Sequence, residues 1–596
     1  MKRLEKCFLI IIGTLAGCSQ FGFAQPALTV TPSITSNTYS GVITLNITGL
    51  NSGEAVTIQR WLDSNGNGLI DPGEPLVDTF KLTDNNKNNA LIGGVTNLNV
   101  PFDLNSSAGA ITAGLNFPSD LISENMVGNS VYQLVSPTSR FLPVTATFAV
   151  TNSALGLSVS GIVYSNGVAP FPYAMVVAQD PRKNSSIGAT VADGNGHYLL
   201  TLPSSSYNLM AAMPNYYQDL AQTPAVILTN GAGVTTDLYL TNGTAMMSGK
   251  VYDSVSKSGL GGLVLTLQSG HLFALAFTDT NGNYSAAVTP EFWTVRPNMQ
   301  RLARRAYLLP STIAQADVTS GSATNADVAL SKSTALFYGR ITNNSNQPFA
   351  NVVLTATAGY DCEAKGYSDA NGNYAVAVLG DKTNLWYCEA NSGINTSLSN
   401  YVVNLYNWLT LTSNQTVLQN FTALPGIQRI TGHVHDSYGN SVAGVGVNAY
   451  ANVGNGEYES LTRTTDDSGN YSFVVAAGGW TPWLIRGNSS DSLDTHGLTI
   501  LQPPPIEFVP PGNVPLEILV FPLAKPSIAQ AKRTSPAQFG FSITGATNVS
   551  YSVQVSTDPA STNWSPLFSL TLTNSPFPVV DRNATDSQRF YRVKKN

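Results

Sequence analysis

The segment Thr431-Gly432-His433-Val434, followed by Asp466-Asp467-Ser468-Gly469-Asn470-Tyr471-Ser472-Phe473-Val474-Val475 and by Trp480, decides how this chain is read. The same grammar opens three earlier stretches: Ser160-Gly161-Ile162-Val163, Ser248-Gly249-Lys250-Val251 and Tyr338-Gly339-Arg340-Ile341. An Asp-x-(Asn/Ser)-Gly-x-Tyr element follows each opener by 30 to 34 residues: Asp193 to Tyr198, Asp279 to Tyr284, Asp369 to Tyr374 and Asp466 to Tyr471. Nine residues past the Tyr comes a second aromatic, Tyr207, Trp293 or Trp480, with Trp386 delayed to twelve. The opening glycines recur at intervals of 88, 90 and 93 residues, which marks a repeated structural unit.

Working outward, the unit reads as β. Runs such as Val352-Val353-Leu354-Thr355-Ala356-Thr357 and Tyr471 to Val475 are β-branched or aromatic over strand length, without a 3.6-residue apolar period. In the Asp-x-Asn-Gly-x-Tyr element, Gly supplies φ > 0, the Asp bonds back onto turn amides and the Tyr starts the next strand. Several short strands per 90 residues, separated by turn signals, predict β-sandwiches. The expected fold is all-β, a linear array of Ig-like or transthyretin-like sandwiches. Its parts are a signal peptide (1–25), a β-rich domain with a calcium-type loop (26–153), four repeats (154–243, 244–334, 335–426 and 427–525) and a C-terminal domain (526–596). Val42 to Gly49 and Ala55 to Trp61 are the alternating strands of the first domain. The Pro-rich run Gln502 to Pro511 reads as a stiff extended segment within the fourth repeat.

The openers, Gly444-Val445-Gly446-Val447, the Asp-x-Ser-Gly-Asn-Tyr turn and Trp480 together resemble the carboxypeptidase regulatory-like domain over about residues 155 to 525, most closely from Gly432 to Trp483. That resemblance implies a transthyretin-like seven-stranded sandwich, related in fold to carbohydrate-binding modules and itself non-catalytic. In the family it accompanies zinc peptidases, outer-membrane transporters and adhesins, so it implies a fold and not a task. Tyr551 to Asp558, Trp564 and Arg589 to Val593 resemble a fibronectin-III-like C-terminal domain of large exported bacterial proteins.

Composition narrows the classes. Charged residues make up 11% of the 596, against about 25% in ordinary soluble chains. The net charge is −6 and there is no basic stripe, so no nucleic-acid partner is expected. Lys2, Arg3 and Lys6 precede the apolar core Cys7 to Leu15, which has the length of a secretory signal and not of a membrane span. Leu15-Ala16-Gly17-Cys18 resembles a lipobox, which would make Cys18 the lipidated first residue and the membrane a contact through that anchor alone. Gly22-Phe23-Ala24 before Gln25 fits an ordinary signal peptidase equally. The protein is therefore expected to be exported, as a cell-envelope lipoprotein or freely secreted. Of the four cysteines only Cys362 and Cys388 lie beyond the signal, and an exported setting permits a disulfide between them.

One motif carries ligand chemistry. Asp63-Ser64-Asn65-Gly66-Asn67-Gly68-Leu69-Ile70-Asp71-Pro72-Gly73-Glu74 fits a twelve-residue calcium loop. Side-chain oxygens come from Asp63, Asn65 and Asn67, and the Leu69 carbonyl follows. Asp71 acts through water and Glu74 closes the loop as a bidentate carboxylate. The flanking Ile58 to Trp61 and Pro75 to Phe80 are strand-like, so a structural calcium ion between strands is expected rather than a helix–loop–helix. Asp279, Asn281 and Asn283 mimic half of such a loop but lack the closing Glu, and His433 with His435 supplies two imidazoles where zinc needs three or four ligands. Trp480 and Trp483 could stack on sugar rings, although the repeat register makes Trp480 a core residue. The five histidines form no His-Glu-x-x-His pattern, and no Gly-x-Ser-x-Gly elbow or phosphate loop is present. The sequence thus points to a non-catalytic surface protein for display, adhesion or binding of a polysaccharide or matrix protein, with a carbohydrate-active accessory or an unrecognised hydrolase as the competing class.

Overall fold

A computed structural model of the chain describes residues 25–595 apart from 117–124, 181–184, 224, 230–232, 311–312, 322–323, 360–361, 391–394, 455, 488–490, 501–506, 510–512, 523–525, 546–549 and 561–562. Cys18 and most of the Pro-rich run therefore lie outside the described residues; within that run Glu507–Val509 is a strand beside Gly478–Leu484. Strands of two to ten residues dominate, with one short α-helix, Met299–Arg304, among the described residues. The fold is all-β, built from β-sandwiches.

In every repeat the opening strand is central to its sheet. Ser158–Ser165, Ala245–Asp253, Ala335–Asn343 and Gln428–Asp436 each pair antiparallel with the strand after the turn and parallel with strands at the end of the repeat. The antiparallel register sets each opening Gly opposite the motif Tyr: Gly161 and Tyr198, Gly249 and Tyr284, Gly339 and Tyr374, Gly432 and Tyr471. The Tyr ring crosses the bare Gly, and its hydroxyl donates to a carbonyl of the parallel strand. The acceptors are Thr236 O, Ala326 O and Gln419 O at 2.6 Å, and Leu516 O at 2.8 Å. A Cβ on Gly432 would stand 1.7 Å from that same Leu516 oxygen, so no other residue fits. Burial, and after it the nearby Asp237, Asp327 and Glu517 charges, lifts the phenols of Tyr198, Tyr284 and Tyr471 above their ordinary range and keeps each O–H a donor.

The turn that delivers the Tyr is closed by its own Asp. Asp466 Oδ1 accepts from Ser468 N and Asn470 N at 2.9 and 2.8 Å, Gly469 takes φ +77°, and the other three turns repeat this pattern. The second aromatics fill the cores: Trp293, Trp386, Trp480 and Tyr207 are at most 1% exposed. Their polar tips donate to carbonyls four residues back, Pro203, Thr289 and Ala476, whereas Trp386 reaches back seven, to Leu379. A register shift between Asp381 and Leu385 absorbs the three extra residues and explains the delayed tryptophan.

The chain divides into two compact units, one running to Ser397 and including Tyr406–Ala423, the other holding Leu398–Leu405 and Leu424–Asn596. Tyr401–Asn404, placed by spacing in the third repeat, thus belongs to the unit of the fourth and pairs with Gly456–Glu459. In the first unit the sandwiches are not separate beads. Ser185–Val191 of the first repeat pairs with Met126–Val135 of the N-terminal domain, and Tyr216–Asp219 pairs with Leu272–Phe277 of the second repeat. One apolar cluster draws Leu62 and Val77, Met175 and Val177, and Val264 and Phe273 from all three segments. In the second unit, strands between Ser527 and Lys595 form two three-stranded sheets around Phe541, Ile543, Tyr551 and Val553.

The expected Cys362–Cys388 disulfide is corrected: both thiols are free and buried. The strands Cys362–Tyr367 and Asp381–Glu389 flank Val353–Ala358 on opposite sides, with Cys362 beside Ala358 and Cys388 beside Ala356. Two strand spacings separate them by about 10 Å, beyond the ~7 Å Cα separation that a disulfide spans. Burial, with Asp381 second, pushes the Cys362 thiol up to about 11, and burial raises Cys388 further.

The Gly–Tyr clasp makes the first prediction. Tyr471→Phe should cost about 1–2 kcal/mol by leaving the Leu516 carbonyl without its donor. Hydrogen exchange of the Gln428–Asp436 amides should accelerate correspondingly, and unchanged protection would refute the role given to the hydroxyl.

Candidate functional site

The twelve-residue loop joins Ala55–Asp63 to Leu76–Thr83, two antiparallel strands of one hairpin. Asp63 ends the first strand at 4% exposure. Its Oδ1 accepts from Asn67 N at 3.1 Å and its Oδ2 from Gly68 N at 2.9 Å. Glu74 reaches back across the loop, Oε1 to Ser64 N at 2.8 Å and Oε2 to Asp71 N at 3.0 Å. Gly66 and Gly68 take φ +73° and +77°, a conformation that lets the chain wrap these carboxylates. Asn65 Nδ2 and Asn67 Nδ2 both donate to Asp71 Oδ2, at 2.6 and 2.7 Å. The two amides thus do at Asp71 what a cation would do, while their oxygens accept from Asn67 N and Leu69 N at 2.9 and 2.8 Å. The donor set is all oxygen and fits a hard cation, though Asp63, Asp71 and Glu74 are not drawn within 4.8 Å of one another as a set.

The return strand of this hairpin carries Asp78, 1% exposed. Helix Met299–Arg304, capped by the Asn298 side chain, brings Arg301 and Arg304 to it, and Arg305 follows. Arg301 Nη1 lies 2.6 Å from Asp78 Oδ2, Arg304 Nη1 shares that oxygen, and Arg305 Nη2 is 3.1 Å from Oδ1. Arg305 also donates to the carbonyls of Gly261 and Gly262. A Cβ on Gly262, at φ +65°, would stand 2.7 Å from the Asp78 carbonyl carbon, so the two backbones touch directly. Burial works to raise the Asp78 pKa, but the three guanidiniums outweigh it and hold the carboxyl far below the usual range. Burial, and the Arg301 and Arg304 charges, pull Arg305 below the ordinary guanidinium range against the attraction of Asp78. The Arg305 Nε is buried without an acceptor among the described residues.

The cluster borders a cleft of about 480 Å³. Arg304, Arg305, Lys81 and Lys332 line it together with the polar groups of Thr57, Gln59, Thr79, Thr280 and Tyr307, and no carboxylate among the described residues lines it. Its walls come from the N-terminal domain and the second repeat, so a cleft exists where separate small sandwiches would offer none. In a chain with few charges, Arg301-Leu302-Ala303-Arg304-Arg305 stands out; the sequence signal was there, but its partner Asp78 lies more than two hundred residues away.

Asp193, Asp279, Asp369 and Asp466 are engaged in their own turns. Trp480 is core, while Trp483 is 40% exposed. His433 and His435 share an outer strand face with a residue the sequence did not single out, Glu517. No helix among the described residues is long and apolar enough to cross a membrane.

No protein-family model matches the chain, and the search of curated proteins found no match. Among solved structures, the chain is similar to the Bacillus anthracis TIE protein at 10% identity, over 85% of this chain and 76% of that one, with a TM-score of 0.15. A streptococcal ancillary pilin matches at 12% identity over 47% and 93% of the two chains, with a TM-score of 0.14. BcpA, the major pilin subunit of Bacillus cereus, matches at 10% over 61% and 99%, with a TM-score of 0.13. Likenesses of that size carry no argument about activity. The carboxypeptidase-regulatory-like and fibronectin-III-like resemblances rest on the motifs quoted above, and the structure supports their coarser content, the β-sandwich.

Asp78→Asn removes the carboxylate that Arg301, Arg304 and Arg305 share and should destabilise the chain by about 3–5 kcal/mol. Because the folded pKa of Asp78 is depressed, its contribution is present above the ordinary carboxyl value of about 4 and is lost as pH falls through the folded value. Chemical denaturation from pH 6 down to pH 2 should therefore show a shallower acid loss in Asp78→Asn than in the parent. Parallel curves would contradict the assignment.

Proposed function

We propose that this chain is a non-catalytic exported surface protein that binds an acidic polysaccharide in the cleft between its N-terminal domain and second repeat. The carrying observation is the cleft lining: four cationic side chains, several hydroxyl and amide groups and, among the described residues, no carboxylate. Uronate or sulfated sugars offer the matching chemistry, anionic groups for the guanidiniums and ammoniums and hydroxyls for the neutral polar groups. A glycosidase would need a pair of carboxylates across the scissile bond, and none lines the cleft among the described residues. Export follows from the N-terminal segment, with Cys18 as lipid anchor or Gln25 as the free N-terminus. The Asp63–Glu74 loop serves as a structural calcium site that stiffens the hairpin carrying Asp78 and Lys81.

On a glycan array the mature chain should select polyuronates or sulfated glycans over neutral ones. Affinity should fall as salt rises, and Lys81→Glu combined with Lys332→Glu should abolish binding, both side chains being exposed at the cleft. Equal binding of neutral glycans, or binding indifferent to the double reversal, would sink the proposal.

For calcium, the mature chain is the right object, because the 26–153 segment shares its core with two repeats. At an ion concentration 100-fold over the dissociation constant the linkage gain is about 2.7 kcal/mol. The first unfolding transition should rise with millimolar calcium in the parent and stay fixed in Glu74→Gln. A rise that survives the substitution places the ion elsewhere.

A further inference from the structure

The outer face of the fourth repeat carries a cluster that neither the calcium loop nor the cleft uses. Along Gln428–Asp436, Ile430 and Val434 point into the core, and the alternation turns His433 and His435 outward on one face. Along the parallel strand Asn513–Pro522, Leu516, Ile518 and Val520 point inward and Glu517 outward. The register sets Glu517 beside His433. One ligand atom from each of His433, His435 and Glu517 lies within 4.8 Å of the others, the one such group of His, Cys, Asp and Glu among the described residues. His433 Nδ1 is 3.5 Å from Glu517 Oε2, close to the ~3.3 Å edge of a tetrahedron with 2.0 Å metal–ligand bonds. The two rings lie 5.5 Å apart and 20° from parallel.

Each imidazole is also held by its other nitrogen. His433 Nε2 lies 3.0 Å from Ser441 Oγ, and His435 Nδ1 lies 3.3 Å from the Asp436 carbonyl. In the tautomers where those nitrogens donate, His433 Nδ1 and His435 Nε2 keep their lone pairs, as metal-ligating imidazoles do. The nearby carboxylates of Asp436 and Asp466 are taken up by the amides of their own turns.

Comparison of the four repeats shows why Glu517 is available. The residue after the Tyr-bonded carbonyl is Asp237, Asp327, Asn420 or Glu517. In the first three repeats this side chain accepts from the backbone amide that follows the opening Gly, at Ile162, Lys250 and Arg340, and the parallel pairing breaks there. In the fourth, Asn513–Pro522 runs unbroken from Arg429 to Asp436, so backbone pairing replaces the side chain and the carboxylate turns to His433.

We propose that His433, His435 and Glu517 bind a divalent transition metal ion, Zn²⁺ first. Two imidazoles and one carboxylate suit zinc, nickel or copper rather than calcium or magnesium. Three protein ligands leave a coordination position open to water or to a group from a binding partner. Both strands are fixed by an eight-residue ladder, so the ligands are held before the ion arrives.

Isothermal titration of the untagged, chelator-stripped mature chain with Zn²⁺ should show one saturable site. His433→Ala, His435→Ala and Glu517→Gln should each weaken it at least tenfold while leaving the metal-free melting temperature unchanged, since all three side chains lie outside the core. Co²⁺ should give visible d–d bands that the same substitutions remove, and Glu74→Gln should leave both signals intact. No saturable heat, or a site whose affinity survives all three substitutions, overturns the proposal.

Discussion

The contact on which the repeats depend is a tyrosine hydroxyl reaching across a glycine to the carbonyl of a third strand. It ties three strands of one sheet at a single point, two by the antiparallel ladder and one through the side chain. The geometry fixes the residue types. A Cβ at Gly161, Gly249, Gly339 or Gly432 would meet the accepting carbonyl oxygen at 1.7 to 2.4 Å, so the position must be bare. The Tyr must begin its strand at one register position, and the Asp-closed turn, with its left-handed Gly, sets that start. Opener and turn are therefore two halves of one device, which is why they recur together at a nearly fixed interval.

That device is local enough to be written in sequence, and it was legible. The turn chemistry, the Tyr at the strand start and the buried second aromatic all follow from short-range geometry, and even the delay of Trp386 has a local cause in the bulge after Asp381. Contacts between distant segments were not legible. The spacing of Cys362 and Cys388 says nothing about the strand Val353–Ala358 that comes between them. Likewise the alternation of His433 and His435 gave their shared face, but the third member came from a parallel strand some eighty residues on. The calcium-type loop was legible as a turn between strands. Its amide nitrogens, which gather on Asp71, follow from side-chain rotation that sequence does not encode.

The same division explains the cleft. A series of independent sandwiches offers no large concavity, and composition with few charges offers no obvious polar site. The first unit departs from that picture because strands pair across segment borders and a shared apolar cluster locks three segments together. Once they are locked, the helix Met299–Arg304 has to lie against Asp78, and its guanidiniums are buried where water cannot screen them.

A buried cluster of three guanidiniums around one carboxylate is costly unless something else balances it. Asp78 carries both ends of the problem: its two oxygens are shared among three cations, two of which, Arg304 and Arg305, also line the cleft. Under the proposed function, an anion arriving there would meet guanidiniums that are already desolvated, that of Arg305 already held by the Gly261 and Gly262 carbonyls. Binding and the packing of the N-terminal domain on the second repeat would then be linked, since both draw on the same charges. Asp78 acts in that scheme as the internal counter-ion that lets the chain fold before a ligand is present.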